Sequence, residues 1–288
     1  MRYWRLSAGL LGSAMYAATA IGAGNTPMPN FSPDNMTGWI AGDQNGENPV
    51  GQDFLPPESG PGPVTNDKAY PHVDDGAARR NGSQPTYRVA DLNNPILQPW
   101  VKDALRNANE RALSGKPDFT PKERCWPIGV PGWLLYPARP VWFLQTPKEV
   151  TMIWEEDHMV RHVYLNAQHS PNPKPSWFGE SIGHYEGDDT LVIDTVGLST
   201  RNSYLDWYRT PHSENEHVIE RYKLSADGKT LEVLVTVEDP DTFNEPLYMV
   251  QRWRKVKNPM LEVACAENNG DHFGKNLFPI PQAERPDF

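Results

Sequence analysis

The second half of the chain alternates apolar and polar residues with a period of two, and short loops rich in Gly and Asp interrupt the pattern. Such alternation is typical of strands that bury one face. No helical pattern separates these segments, so we expect consecutive strands to pair as antiparallel neighbours. The predicted strands are Val141–Gln145, Glu149–Glu155, Met159–Leu165, Trp177–Glu186, Thr190–Gly197, His217–Leu224, Thr230–Glu238 and Leu247–Lys255.

A sheet of about eight strands has two exposed edges unless it closes on itself. Closure into a barrel removes both edges and can leave a lumen wide enough for one small ligand. We therefore predict a mainly β fold, an antiparallel up-and-down barrel of the lipocalin-like type. A two-sheet β-sandwich is the alternative.

An arm and one helix precede the predicted barrel. The stretch 26–96 holds eleven Pro and eight Gly in 71 residues, and no strand or helix period persists there. Large apolar residues such as Phe31, Trp39 and Phe54 indicate that the arm packs over the body. Pro99 begins a helix whose apolar stripe has 3.6-residue spacing, and Gly115 ends it. We thus expect a signal peptide (1–20), a wrapping arm (21–96) and a body of helix plus barrel (97–288).

The first twenty residues have the features of a signal peptide. Arg2 and Arg5 form a positive start, Ser7–Ile21 is mostly small or apolar, and Ala18-Thr19-Ala20 is an Ala-x-Ala cleavage site. The apolar stretch is too short to span a membrane. We expect the mature protein to be periplasmic or secreted.

Cys125 and Cys265 are the two cysteines of the chain. An oxidising compartment favours a disulfide between them, and neither belongs to a Cys-x-x-Cys metal motif. A reactive thiol is the alternative.

Charge and motifs restrict the partners. A formal net charge of −10 disfavours nucleic acid, which requires a basic face. The sequence has no Gly-rich phosphate loop, no nucleotide fingerprint and no Gly-x-Ser-x-Gly elbow. We therefore expect a small-molecule partner and no organic cofactor.

The loop Gly187–Asp189 fixes which residues of its two strands lie opposite each other. It places Ile182 opposite Asp194, so that His184 and Asp194 are diagonal neighbours on one face. A carboxylate at that position can orient an imidazole for acid–base work. His184 and Asp194 are the first pair of candidate catalytic residues.

The segment Pro211–Arg221 is dense in histidines and carboxylates. His212, His217 and Glu220 are candidates for proton transfer, since His titrates near neutral pH. On a strand, however, His217 and Glu220 point to opposite faces. A divalent metal is a further possibility here, although the spacing is not that of a His-Glu-x-x-His helix.

Other strand residues are candidates for contact with a ligand. Arg161, His162 and Tyr164 lie on the predicted strand Met159–Leu165, where alternate residues could enter the cavity. The candidate substrate-binding residues are Trp177, Glu180, Tyr185, Arg252 and Trp253.

Several segments together resemble a family of exported, functionally uncharacterised proteins of proteobacteria and acidobacteria. They are Cys125–Pro131, Gln145–Pro147, Gly179–Asp188, Pro211–Ser213, Glu238–Pro240 and Cys265–Asn268. The resemblance implies an exported location and one continuous domain, and it implies no activity. The turn Gly187-Asp188-Asp189 is one Asp longer than the family form.

Two classes of function follow from these features. The first is an enzyme without an organic cofactor, a lyase, hydratase or isomerase that uses His and carboxylate groups on an aromatic, terpenoid or sugar-derived substrate. The second is a non-catalytic protein that binds a small ligand or a glycan. A metal-dependent hydrolase is a further alternative.

Overall fold

The computed structural model describes residues 28–42, 51–118, 120–121, 125–135, 139–201, 204–263 and 265. In this part of the chain nine strands form one closed barrel in chain order, which confirms the predicted barrel. The strands are β1 (Thr37–Ala41), β2 (Val141–Gln145), β3 (Glu149–Trp154), β4 (Met159–Leu165), β5 (Glu180–Glu186), β6 (Thr190–Val196), β7 (His217–Leu224), β8 (Thr230–Glu238) and β9 (Leu247–Lys257). The helices are α1 (Asp75–Asn81) and α2 (Pro99–Leu113). The predicted signal peptide, residues 1–20, lies outside the described residues.

The strand that closes the barrel comes from the arm, where no strand was predicted. All of β1 pairs with β9, and Trp39 also pairs with Val141 of β2. Without β1, β2 and β9 would both be open edges. The strand was not predicted because it has only five residues, one of them Gly38. So short a segment shows no clear alternation of apolar and polar residues within the Pro- and Gly-rich arm.

The arm also contains a short helix that was not predicted. Asp74 caps the first turn of α1 by accepting a hydrogen bond from the Ala77 amide, and Gly82 ends the helix in the left-handed conformation. Elsewhere the arm lies on the barrel: Leu55 pairs with Val250. The predicted helix after the arm is confirmed as α2.

One pair of neighbouring strands is parallel, so the prediction of a wholly antiparallel barrel is wrong at this point. Residues Val163–Leu165 of β4 pair with Ser181–Gly183 of β5. Parallel strands cannot be joined by a tight turn, and a crossover, residues 166–179, connects them. The predicted strand Trp177–Glu186 therefore begins three residues too early, because Trp177 belongs to this crossover.

The predicted register of the hairpin at Gly187 is confirmed. Ile182 pairs with Asp194, and His184 pairs with Val192. These four residues lie on the outer face of the barrel, whereas Ser181 and its alternate neighbours point inward.

Large side chains fill the interior where a ligand-sized lumen was predicted. The helical turn Gly132–Leu135 packs into the barrel, and the Trp253 indole donates a hydrogen bond to the Leu134 carbonyl at 3.2 Å. The buried aromatic residues of the interior are Trp39, Trp133, Phe143, Trp154, Tyr222 and Trp253.

A buried ion pair lies among these aromatic rings. Arg161 of β4 and Glu220 of β7 approach within 2.5 Å, and both side chains are almost completely excluded from solvent. Tyr222 donates a hydrogen bond to the Glu220 carboxylate at 2.8 Å. The Arg161 guanidinium donates to Thr195 at 2.9 Å and to Ser181 at 3.2 Å. The pair is thus compensated by hydrogen bonds as well as by charge.

Cys125 and Cys265 form the predicted disulfide. Within the described ranges, no helix is long and apolar enough to cross a membrane.

We predict that Arg161→Met destabilises the protein by about 3–5 kcal/mol, because it leaves the Glu220 carboxylate buried without its cation. The double variant Arg161→Met/Glu220→Leu should recover most of that loss, since it removes both charges. Urea unfolding at pH 7 measures both free energies. Equal destabilisation by the single and double variants would contradict the account of mutual compensation.

Candidate functional site

A cleft of about 610 Å³ opens where β4 and β5 separate. The pairing of these strands covers only the end of β4, so the first half of β4 borders the cleft. The lining residues are Val160, Arg161, His162 and Tyr164 of β4, Ser170, Asn172, Lys174, Ser176, Trp177, Phe178 and Gly179 of the crossover, and Glu180 and Ser181 of β5.

One wall of the cleft carries a carboxylate–imidazole pair. His162 Nδ1 lies 2.5 Å from Glu149 Oε1 of β3. Thr151, which pairs with His162 across the two strands, donates a hydrogen bond to the same carboxylate at 3.0 Å. The hydrogen bond with His162 is the main cause that lowers the pKa of Glu149. Glu149 is therefore an anion that holds the imidazole in one orientation.

This orientation determines which nitrogen of His162 is available. Because a carboxylate only accepts hydrogen bonds, Nδ1 carries the proton that is donated to Glu149, and Nε2 of the neutral ring keeps a lone pair. No described residue forms a hydrogen bond with Nε2, and the side chain is 53% exposed. His162 can therefore accept a proton from a molecule in the cleft.

Aromatic rings form the apolar part of the cleft. Trp177 packs against Trp126 with ring centroids 5.9 Å apart, and Phe178 packs edge-on against Trp133. Tyr164 lies nearly parallel to the His162 ring. Trp177 Nε1 is buried, and its N–H donates no hydrogen bond within the described residues. The cleft therefore combines apolar walls with a few polar groups, as small-molecule sites do.

The predicted contact between His184 and Asp194 is absent. His184 points outward and lies 3.3 Å from Glu186. Asp194 Oδ1 instead lies 2.9 Å from His169 Nε2 and 2.8 Å from His217 Nε2. The register was right, but diagonal neighbours on a strand pair need long side chains turned toward each other, and His184 turns along its own strand.

Asp194 is the centre of a row of five ionisable groups on the outside of β5–β8, which we call the acid–base array. His169 Nδ1 lies 3.1 Å from Glu180 Oε1, and His217 Nδ1 lies 3.1 Å from Glu238 Oε2. Sequence reasoning missed His169 and Glu238. His169 belongs to the crossover, where no periodicity indicates its position, whereas Glu238 follows from pairing His217 with the end of β8.

The candidate residues His217 and Glu220 point to opposite faces of β7, as the strand period predicts. Glu220 belongs to the buried ion pair and does not line the cleft. His212 is also buried and lies 2.7 Å from Glu216 Oε2. Burial opposes the charge on His212, yet the Glu216 carboxylate outweighs it and raises the His212 pKa. This buried pair is separate from the residues that line the cleft.

The predicted substrate-binding residues divide between the cleft and other places. Trp177 and Glu180 line the cleft. Tyr185 points inward and accepts a hydrogen bond from Gln145. Arg252 lies on the outer face against Glu232, and Trp253 belongs to the interior core. These three residues are not in position to contact a ligand in the cleft.

The described residues contain no group of three or more His, Cys, Asp or Glu side chains arranged to hold a metal ion.

We predict a pH-dependent effect of Asp194→Asn. The hydrogen bond from His217 lowers the pKa of Asp194, although partial burial opposes this. A lowered carboxyl pKa stabilises the fold above the unfolded value of about 3.9, and this contribution is lost as the pH falls through the folded value. The substitution should cost about 1 kcal/mol at pH 6 and less below pH 3.

Urea unfolding at the two pH values tests this prediction, with Asp188→Asn in the exposed β5–β6 turn as the matched control. The same loss at both pH values would show that the Asp194 charge is not involved.

Comparison with known proteins does not identify the function, so the proposal below is based on the geometry of the site. The chain matches no family model, and no curated protein shows significant similarity to it.

Proposed function

We propose that the protein is an exported enzyme that transfers protons on a small molecule bound in the cleft, as a lyase, hydratase or isomerase without an organic cofactor. The observation that carries the proposal is the His162–Glu149 pair on the cleft wall. The imidazole accepts a proton at Nε2, and the Glu149 carboxylate stabilises the resulting imidazolium. We therefore propose that the site lies in the cleft between β4 and β5 and not in the barrel lumen, where the sequence led us to expect it.

The volume and the lining residues of the cleft indicate a class of substrate. Its volume of about 610 Å³ lies within the range of small-molecule sites. Trp177, Phe178 and Tyr164 favour an aromatic or terpenoid skeleton or the apolar face of a sugar ring. Lys174 supplies a cation at the same cleft for an anionic substituent. The substrate is therefore expected to be mostly apolar with one acidic or polar end.

The exported location is supported by two features. The disulfide between Cys125 and Cys265 is typical of proteins in oxidising compartments. The first twenty residues have the pattern of a secretory signal. We propose the periplasm or the extracellular space.

A non-catalytic binding protein is the second candidate, and Trp177 favours it. Its buried indole N–H has no partner among the described residues, and a ligand acceptor atom in the cleft could satisfy it. A binding protein would need this donor and the aromatic walls but not the basicity of His162.

Conversion of a metabolite extract tests the enzyme proposal. Purified mature protein is incubated with plant and microbial extracts, and all masses are followed by liquid chromatography and mass spectrometry. We expect one mass to be replaced by another that is isomeric or differs by water or a small fragment. His162→Gln should reduce the rate by about 10²–10⁴-fold, the usual contribution of general acid–base catalysis.

His184→Gln is the matched control, because His184 is also 53% exposed and also pairs with a glutamate, but it lies outside the cleft lining. It should keep the wild-type rate. Equal rates for wild type and His162→Gln would remove His162 from the mechanism.

The same extract distinguishes the binding protein. In that case a metabolite co-purifies unchanged with wild type and with His162→Gln. Trp177→Phe keeps the aromatic packing but removes the N–H donor, and it should weaken retention by about tenfold, the effect of one lost hydrogen bond. Unchanged retention would exclude Trp177 as a ligand donor.

A further inference from the structure

The crossover forms a wall of the cleft, so its attachment to the barrel decides whether the cleft is assembled. Near its first end the Asn166 amide donates to the Gly183 carbonyl, and near its second end the Ser176 amide donates to the Gly197 carbonyl. Between these ends, Ser170 donates its amide and hydroxyl hydrogens to Glu180, and His169 lies between Glu180 and Asp194. His169 is therefore the part of the attachment whose hydrogen bonds depend on how many protons its ring carries.

The hydrogen bonds of His169 require two protons on its ring. Both ring nitrogens face carboxylate oxygens, at 3.1 Å from Glu180 and 2.9 Å from Asp194. Carboxylates only accept hydrogen bonds, and a neutral imidazole has one N–H. Neutral His169 would thus place a nitrogen lone pair against an oxygen lone pair at one of the two contacts. Only the imidazolium satisfies both.

The ionisable groups around His169 are mostly carboxylates. The groups that face His169 from the neighbouring strands are Glu180 of β5 and Asp194 of β6, and Asp194 is shared with His217 of β7, which also contacts Glu238 of β8. With both rings protonated the array carries a net charge of −1, and with both neutral it carries −3. His217 follows the same rule, and its hydrogen bond to Asp194 is the main cause of its raised pKa.

We propose that His169 is a positioning residue that holds the crossover wall of the cleft fully against the barrel only while its ring carries both protons, so that loss of one proton at higher pH loosens the wall. An effect of this attachment on ligand binding would rest on the proposed function of the cleft. The attachment itself does not, and it can be measured without a ligand.

Hydrogen exchange followed by mass spectrometry tests the attachment in the full mature protein. The readout is the protection factor of a peptide within 167–178, which corrects for the intrinsic effect of pH, at pH 5.5 and 8.5 in the presence of EDTA. In wild type we expect about tenfold less protection at pH 8.5, as for the loss of one charge-assisted hydrogen bond. Peptides from β6–β8 provide the reference for global opening.

Three variants separate protonation from simple packing. His169→Gln cannot donate to both carboxylates and should show the low protection at both pH values. His169→Arg is always charged and has donors for both partners, so it should retain the high protection at pH 8.5. His184→Gln should behave as wild type, because the hydrogen bond of His184 is to Glu186 of its own strand.

Several results would overturn the proposal. Equal wild-type protection at both pH values would show that the proton on His169 is irrelevant, and so would a pH response that persists in His169→Gln. Low protection at pH 5.5 that rises when EDTA is omitted would show that a metal ion, rather than two protons, holds the array. Because no substrate is used, failure of this test leaves the proposed enzyme untouched, and loss of the enzyme proposal leaves this test valid.

Discussion

The ion pair between Arg161 and Glu220 is the interaction around which the barrel is arranged. A buried charge pair loses the favourable free energy of hydration, which other interactions must replace. Here hydroxyl groups and an indole form the remaining hydrogen bonds to the two charged side chains. The aromatic rings around the pair are almost completely buried, so side chains fill the interior of the barrel. The centre of the fold therefore has a structural role, and the site that we propose lies in the cleft between β4 and β5.

The short parallel contact between β4 and β5 creates this cleft. Since the pairing is short, the two strands separate beside Arg161, and the crossover covers the gap with Trp177 and Phe178. The cleft thus has an apolar wall from the crossover and a polar wall from β4, where Glu149 orients His162. On the neighbouring outer face, the acid–base array attaches the crossover. The two proposals give these histidines different tasks: His162 accepts a proton from a bound molecule, and His169 positions the wall.

Local patterns in the sequence predicted local structure well. Alternation located β2–β9, and the loop at Gly187 fixed its hairpin register, because both depend on residues close in the chain. The strand β1 and the parallel pairing were not predictable in the same way, since each is decided by contacts between distant segments. For the same reason the partner of Asp194 was predicted to be His184, whereas Asp194 in fact contacts His169 and His217. Packing of Trp253 inside the barrel could not be distinguished from a ligand contact by periodicity alone.

The most direct test of the account is a crystallographic screen with small aromatic fragments, such as indole and hydroxybenzoates. It shows whether small molecules bind in the cleft between β4 and β5 or in the barrel interior. The account predicts density in the cleft against Trp177 and within hydrogen-bond distance of His162 Nε2, with the interior side chains unmoved. Density inside the barrel, with displacement of Trp133 or Tyr222 from the buried ion pair, would contradict it.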